Sequence, residues 1–143
     1  MEIKEIQSVL IHRFPFLMVD KILHIEYEKK SIGIKNITIN EPWVQGHFPE
    51  EPVFPGVLII ETMAQIGGFA FYNTENKNGS LKGYLCNVNN VKFIKKVVPG
   101  DVLIVEAEVK TKVANLARVK CTAKVEDTIV AVGEISYSFD MEN

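Results

Sequence analysis

A chain of 143 residues is long enough for one domain to bury a real core. With 47% hydrophobic and 24% charged residues it has neither the polarity of a disordered chain nor the make-up of a membrane protein. Its net charge of −2 argues against a binder held to nucleic acid by phosphate contacts, although a local basic patch stays open.

Residues 2–11 carry Ile3, Ile6, Val9 and Leu10 on one side, the pattern of a short amphipathic helix that Pro15 ends. Met1 to Glu5 lacks the cationic start and apolar run of a signal peptide, and no stretch is long and apolar enough for a transmembrane helix. A cytoplasmic setting is therefore expected, with Cys86 and Cys121 as buried, reduced thiols. Residues 17–28 read as a strand with Leu23, Ile25 and Tyr27 on one face. Residues 30–39 read as a second, with Ile32 and Ile34 on one face and Ile37 and Ile39 on the other; that change of phase predicts a bulge. Residues 40–55 form a loop stiffened by Pro49, Pro52 and Pro55. From Val57 to Tyr72 the chain reads as a helix that is apolar almost all round, and so buried. A polar loop follows at Glu75 to Gly79.

The C-terminal half is strand-rich. Residues 81–95 read as a strand with an irregular middle, followed by a turn at Pro99-Gly100-Asp101. Period-two faces then run through Leu103, Val105, Ala107 and Val109, through Val119, Cys121, Ala123 and Val125, and through Ile129, Ala131, Gly133, Ile135, Tyr137 and Phe139. Short links between these runs imply antiparallel neighbours. An economical α+β arrangement of one apolar helix and five or six strands is a curved antiparallel sheet wrapped around the helix. A two-layer α+β sandwich is the alternative that periodicity leaves open. The whole of 1–143 reads as one domain.

The chemistry concentrates between Gly46 and Gly68. Glu61 falls in the middle of the apolar helix, where an unpaired ionised carboxylate would cost several kcal/mol, so it must be paired or protonated. At three- and four-residue spacing it lines up with Val57, Leu58, Ala64, Gln65 and Gly68, while Ile59, Met63, Ile66 and Phe69 form the opposite, core-like side. Pro55 suits the helix's first turn, and Gly56 lets another group come close to the backbone. The free N–H groups of Gly56 and Val57 at such a start are suited to polarising a carbonyl. His47 lies just upstream in the proline-pinned loop. A loop histidine is by itself more often structural, but a base and an acid near an N–H-rich helix start make a candidate active site. Gln65 either orients Glu61 one turn away or satisfies a backbone group. His12 and Arg13 read as anchors of the N-terminal segment, His24 as a surface residue, and Trp43 as either an acyl-channel wall or a residue of core or interface packing. The run Lys92-Phe93-Ile94-Lys95-Lys96 reads first as a solvated strand face, with Lys95 opposite Lys92 and Lys96. Three scattered histidines and two separate cysteines give no metal-ligand spacing. The fingerprints of serine hydrolases, P-loops and dinucleotide binding are absent.

These residues carry a resemblance. His47-Phe48-Pro49, Pro52, Pro55-Gly56-Val57-Leu58 and Glu61 through Gln65 closely resemble the signature of the bacterial β-hydroxyacyl-acyl carrier protein dehydratases of the FabZ type. His12-Arg13-Phe14-Pro15-Phe16-Leu17 with Val19-Asp20 resembles the family's N-terminal segment, Asn36 to Pro42 its approach to the motif, and Val97 to Asp101 a later turn. Ile11 departs from the pattern, replacing a usual proline. Asn87 stands where glycine is common, and Ile94-Lys95-Lys96 replaces a more arginine- and proline-rich run. None of these touches His47 or Glu61. The isomerising FabA type is a weaker match, since it places Asp where Glu61 stands.

The resemblance implies the hot-dog fold and reversible dehydration of a (3R)-hydroxyacyl chain on acyl carrier protein to the trans-2-enoyl thioester. It implies His47 as base, Glu61 as acid, Gly56 and Val57 as carbonyl binders and Gln65 as support, with no cofactor and no metal. It further implies sites shared between the subunits of a homodimer, three dimers to a hexamer, and neither nucleic acid nor membrane as partner. Two other functions use the same features: a hot-dog acyl-thioesterase, in which the carboxylate activates water, and a non-catalytic acyl-carrier binding protein.

Overall fold

The computed structural model describes residues 1–77 and 79–140. Helix α1 is Ile3–Val9, strand β1 is Lys21–Glu26, β2 is Lys30–Asn36, and helix α2 is Gly56–Gly68, tightening into a 3₁₀ turn at Phe69–Phe71. Strands β3 (Gly83–Phe93), β4 (Val102–Val113), β5 (Leu116–Val125) and β6 (Thr128–Phe139) complete the chain. The six strands form one sheet in the order β1-β2-β4-β5-β6-β3, antiparallel at every step. Helix α2 lies against β2, β4, β5 and β6, so the sheet curves around it as expected of a hot-dog fold. Asn78, within the expected polar loop, lies outside the described residues.

The helix and the sheet meet through the period-two faces. Ile59, Met63, Ile66 and Phe69 are buried against Leu103, Val105 and Ala107 of β4, Val119 and Cys121 of β5 and Ile135 of β6. The closest approach is at Gly67, where a Cβ would stand 2.5 Å from Tyr137 Oη and 3.1 Å from Val119 Cγ2. Three strands also bond to the helix backbone. Ser31 Oγ donates to the Ile66 carbonyl at 2.7 Å, Tyr137 Oη to that of Ala64 at 2.6 Å, and Cys121 Sγ to that of Met63 at 3.8 Å. Hydrogen bonds of this kind contribute roughly 1 kcal/mol each and fix the helix in rotation and along its axis. Burial pushes the Cys121 thiol up to about 12 and raises the Tyr137 phenol well above its ordinary value, so both remain neutral donors.

Several local expectations are corrected. Helix α1 ends at Val9, not at residue 11, because Leu10 turns extended and bridges Leu81 in parallel. In β1 the buried residue is Ile22; Leu23 and Tyr27 face outward, and the register shifts between Ile22 and His24. The inner face of β2 carries Ser31, Gly33 and Lys35, not its isoleucines. The bulge expected there is absent: β2 pairs with β4 in unbroken register, and Ile37 is buried beyond the strand's end. Pro55 occupies the N-cap of α2, not its first turn. Cys86 is exposed, because β3 is a sheet edge. The irregular middle of β3 is present as two register shifts and a left-handed Asn90.

Candidate active site

His47 is held by a closed loop. Its backbone carbonyl accepts the Val53 N–H at 2.8 Å, and its ring Nδ1 lies 2.8 Å from the Val53 carbonyl. A carbonyl only accepts, so Nδ1 carries the proton and Nε2 is the basic nitrogen of the neutral ring. Phe48 and Glu51 exchange backbone hydrogen bonds inside this loop, and the Phe48 ring stacks on the imidazole at 4.1 Å between centroids. The start of the motif loop is tied down by a residue the sequence reading missed. Lys35, buried on β2, pairs with the Glu41 carboxylate, whose other oxygen accepts the Thr38 N–H at 2.8 Å. Trp43 packs edge-on against buried Phe54, 5.3 Å between centroids.

The start of α2 follows directly. The Pro55 carbonyl accepts the N–H groups of Leu58 and Ile59 at 2.9 and 3.0 Å. The N–H groups of Gly56 and Val57 therefore have no acceptor within the helix, as its first turn requires. Phe93, at the end of β3, lies over this start: a Cβ on Gly56 would meet its ring at 2.9 Å. Val57 is 73% exposed, an uncommon state for an apolar residue on a mostly buried helix.

Glu61 is partly exposed, not buried as expected, with 21% of its side chain accessible. It is paired nonetheless. Gln65 Nε2 donates to Glu61 Oε1 at 2.8 Å and to the Phe16 carbonyl at 2.7 Å, while Gln65 Oε1 accepts the Met18 N–H at 2.8 Å. Gln65 thus does both things that the sequence left as alternatives. His12 Nε2 lies 3.5 Å from the same carboxylate oxygen. Arg13 is an anchor as expected, donating to the carbonyls of Gln7, Leu10 and His12. His12 is more than that, and no local pattern in the sequence signals it, because its partner is far along the chain.

Four of the candidate residues fall into two separate pockets of the chain, and Val57 lines neither. His47 and Gly56 share one of about 360 Å³ with Phe93, Ile94, Lys95 and Lys96. Glu61 and Gln65 share another, of about 260 Å³, with His12, Phe16, Gly68, Tyr84 and Tyr137. The lysine expectation also changes. Strand β3 ends at Phe93, so alternation does not carry on to Lys96; Lys95 and Lys96 both border the His47 pocket, and Lys96 pairs with Glu51 at 3.1 Å. Among the described residues no cluster has the make-up of a metal site.

An antiparallel sheet curled around one helix, with a motif loop leading into that helix, defines a hot-dog protein of the FabA-like class: the FabA-like domain model matches residues 10–134. The 3-hydroxyacyl-[acyl-carrier-protein] dehydratase FabZ of Thermoanaerobacter pseudethanolicus is 45% identical over 137 residues, 96% of either chain. That of Bartonella quintana is 48% identical over 136 residues, 94% of this chain and 87% of the relative. Among solved structures, the dehydratase heterocomplex ApeI:P from Xenorhabdus doucetiae matches with a TM-score of 0.82 at 15% identity, covering 96% of this chain and 91% of that one, a likeness of fold alone. The chain belongs to the FabZ-type dehydratase family, and with it to the hydro-lyases.

Proposed function

We propose that residues 1–143 act as one cytoplasmic dehydratase domain that reversibly converts a (3R)-3-hydroxyacyl chain on acyl carrier protein to the trans-2-enoyl thioester in fatty acid biosynthesis. The observation that carries this reading is the pocket in which His47, with Nε2 as its basic nitrogen, adjoins the open N–H groups of the α2 start. Nε2 of neutral His47 takes the proton next to the thioester carbonyl. The N–H of Gly56, with that of Val57, binds the carbonyl oxygen as negative charge develops on it. Glu61 gives its proton to the departing 3-hydroxyl, so that water leaves and the C2–C3 double bond forms. The proton gained by His47 returns to Glu61 before the next turnover.

These roles need His47 and Glu61 together, and the two pockets of one chain keep them apart. Strand β3 suggests how they meet. It is an edge strand, bonded among the described strands to β6 alone, and its side chains are almost all exposed. The Glu61 pocket borders its first residues, Gly83 to Leu85, and the His47 pocket its last, at Phe93. Seven residues of strand, Cys86 to Lys92, lie between the two, so Leu85 and Phe93 are roughly 26 Å apart at ~3.3 Å per residue. A second copy pairing antiparallel along this edge would set the start of one β3 beside the end of the other. By two-fold symmetry, each protomer's Glu61 would then face its partner's His47. A homodimer with two composite sites is the reading that this arrangement supports; assembly of three such dimers into a hexamer rests on the family resemblance alone.

Incubation of the purified protein with a crotonyl thioester tests the reaction. Loss of enoyl absorbance without release of free thiol is the expected result. Release of thiol would make the protein a thioesterase, and binding without either change would make it an acyl-carrier binding protein. No described helix is long and apolar enough to cross a membrane.

The carrier itself is a strongly acidic partner in this reading, so attraction must come from a local patch and not from the net charge of −2. Lys95 and Lys96, at the mouth of the His47 pocket, supply that patch. Replacing both by Glu is expected to raise KM severalfold for an acyl-carrier substrate and to leave KM for a small uncharged thioester unchanged. The wild-type KM for carrier should also rise with salt, since exposed charges are screened within about 10 Å at 0.1 M. Equal losses on both substrates would place the lysines in the fold or the tunnel instead.

A further inference from the structure

We propose that His12 is a positioning residue for Glu61, holding one oxygen of its carboxyl so that the other is presented to the substrate hydroxyl. The inference rests on the role proposed above for Glu61.

Glu61 Oε1 is approached from two directions. Gln65, one helical turn along α2, donates to it at 2.8 Å, and His12, from the segment between α1 and β1, approaches it at 3.5 Å. No described residue bonds Oε2. A carboxyl fixed at one oxygen has its second oxygen in a set direction, which proton transfer to a departing hydroxyl requires.

Both holders are themselves fixed. Gln65 spends its amide on Phe16 and Met18 as well as on Glu61, clamping the chain around Phe16 to the helix. Arg13 bonds three carbonyls at the end of α1, including that of His12 itself, at 2.7 Å. The Arg13 guanidinium is therefore turned to backbone and leaves Glu61 to His12. His12 has 30% of its side chain accessible, but its Nδ1 is buried and has no partner among the described residues. A histidine placed only to anchor its segment would use that nitrogen. Here Nε2 toward Glu61 is the ring's one polar contact. With Nε2–H turned toward the Glu61 carboxyl, Nδ1 is the unprotonated nitrogen of the neutral ring. The other titratable groups lining this pocket are Tyr84 from β3 and Tyr137 from β6. The Tyr137 phenol is raised by burial first, then by Cys121 and by Glu61, so it remains neutral. Its hydroxyl is committed to the Ala64 carbonyl.

The test compares His12→Phe, which keeps a ring but no donor, with His12→Gln, which keeps an N–H, each alone and on a Glu61→Gln background. The expected result is a fall in kcat of roughly tenfold or more for His12→Phe with KM within about twofold. His12→Gln should recover most of that loss. The limb of the kcat pH profile that Glu61→Gln abolishes should move in His12→Phe. In the Glu61→Gln background His12→Phe should cost nothing further, because the group it positions is gone. Wild-type kcat in a folded His12→Phe protein, an unmoved pH limb, or equal losses with and without Glu61 would overturn the proposal. Should His12→Phe not fold, His12→Gln and its pH limb decide: a displaced limb with folded protein supports positioning, an unmoved one overturns it. Full activity of Glu61→Gln alone would instead overturn the acid role of Glu61, a distinguishable failure.

Discussion

His47→Ala and Glu61→Gln should each lower turnover by roughly 10²-fold or more, the usual range for loss of a general base or acid, with both proteins still folded. The structure gives separate reasons for the second half of that statement. His47 is half-buried in a surface loop, and its ring contributes one hydrogen bond to the Val53 carbonyl and one stacked contact with Phe48. Removing the ring loosens the loop but opens no cavity in the helix–sheet core. Glu61→Gln keeps the carbonyl oxygen that Gln65 and His12 approach and removes only the titrating group. Circular dichroism and thermal melting should therefore match the wild type closely while turnover of a hydroxyacyl or crotonyl thioester falls. Near-wild-type turnover by Glu61→Gln would rule out its role as the acid, and the same result for His47→Ala would rule out the base.

Mixing the two inactive proteins should bring activity back. If each site takes His47 from one protomer and Glu61 from the other, a mixed dimer has one site with both defects and one with neither. After complete exchange half of the dimers are mixed, so about a quarter of the wild-type site activity should return, a rise of at least tenfold over parents reduced about 10²-fold. The basis is geometric: the two pockets lie at opposite ends of one exposed edge strand. Exchange is checked independently, by mass-tagged or fluorescent subunits. Demonstrated exchange with activity still at the parental level would mean that each site is built within one chain.

Much of the fold was legible because burial leaves a periodic trace. The period-two faces of β4, β5 and β6 coincide with the buried residues from Leu103 to Ala107, Val119 to Ala123 and Ala131 to Tyr137, but at the start of β6 Ile129 is exposed and Val130 is buried in its place, where the β5–β6 register shifts. The apolar stretch from 57 to 72 is the central helix with a tightened last turn. Where the trace misled, a second force had displaced it. On β2 the inner face is Ser31, Gly33 and Lys35, because α2 packs too close for isoleucine and because Ser31 is needed at the Ile66 carbonyl. At Gly33 a Cβ would already stand 3.0 Å from Ile66. Cys86, expected to be a buried thiol, is exposed because its strand is an edge, a property of strand order and not of local composition.

The sequence by itself determined the α+β class, the helix at the centre, the proline-pinned loop before it and the family to which they belong. All of these are written in residues close along the chain: apolar spacing, prolines with fixed φ, and a run of motif residues. Only the tertiary structure decided what meets across the chain. It showed that the His47 and Glu61 pockets lie apart, that Lys95 and Lys96 stand by the first, and that His12 comes within 3.5 Å of Glu61 in the second. The reason is that periodicity records how strongly each side chain avoids water, whereas such contacts depend on how the strands are ordered and where each one ends. Gln65 binds Phe16 and Met18 across 49 and 47 positions of sequence, and no local pattern carries a distance of that kind.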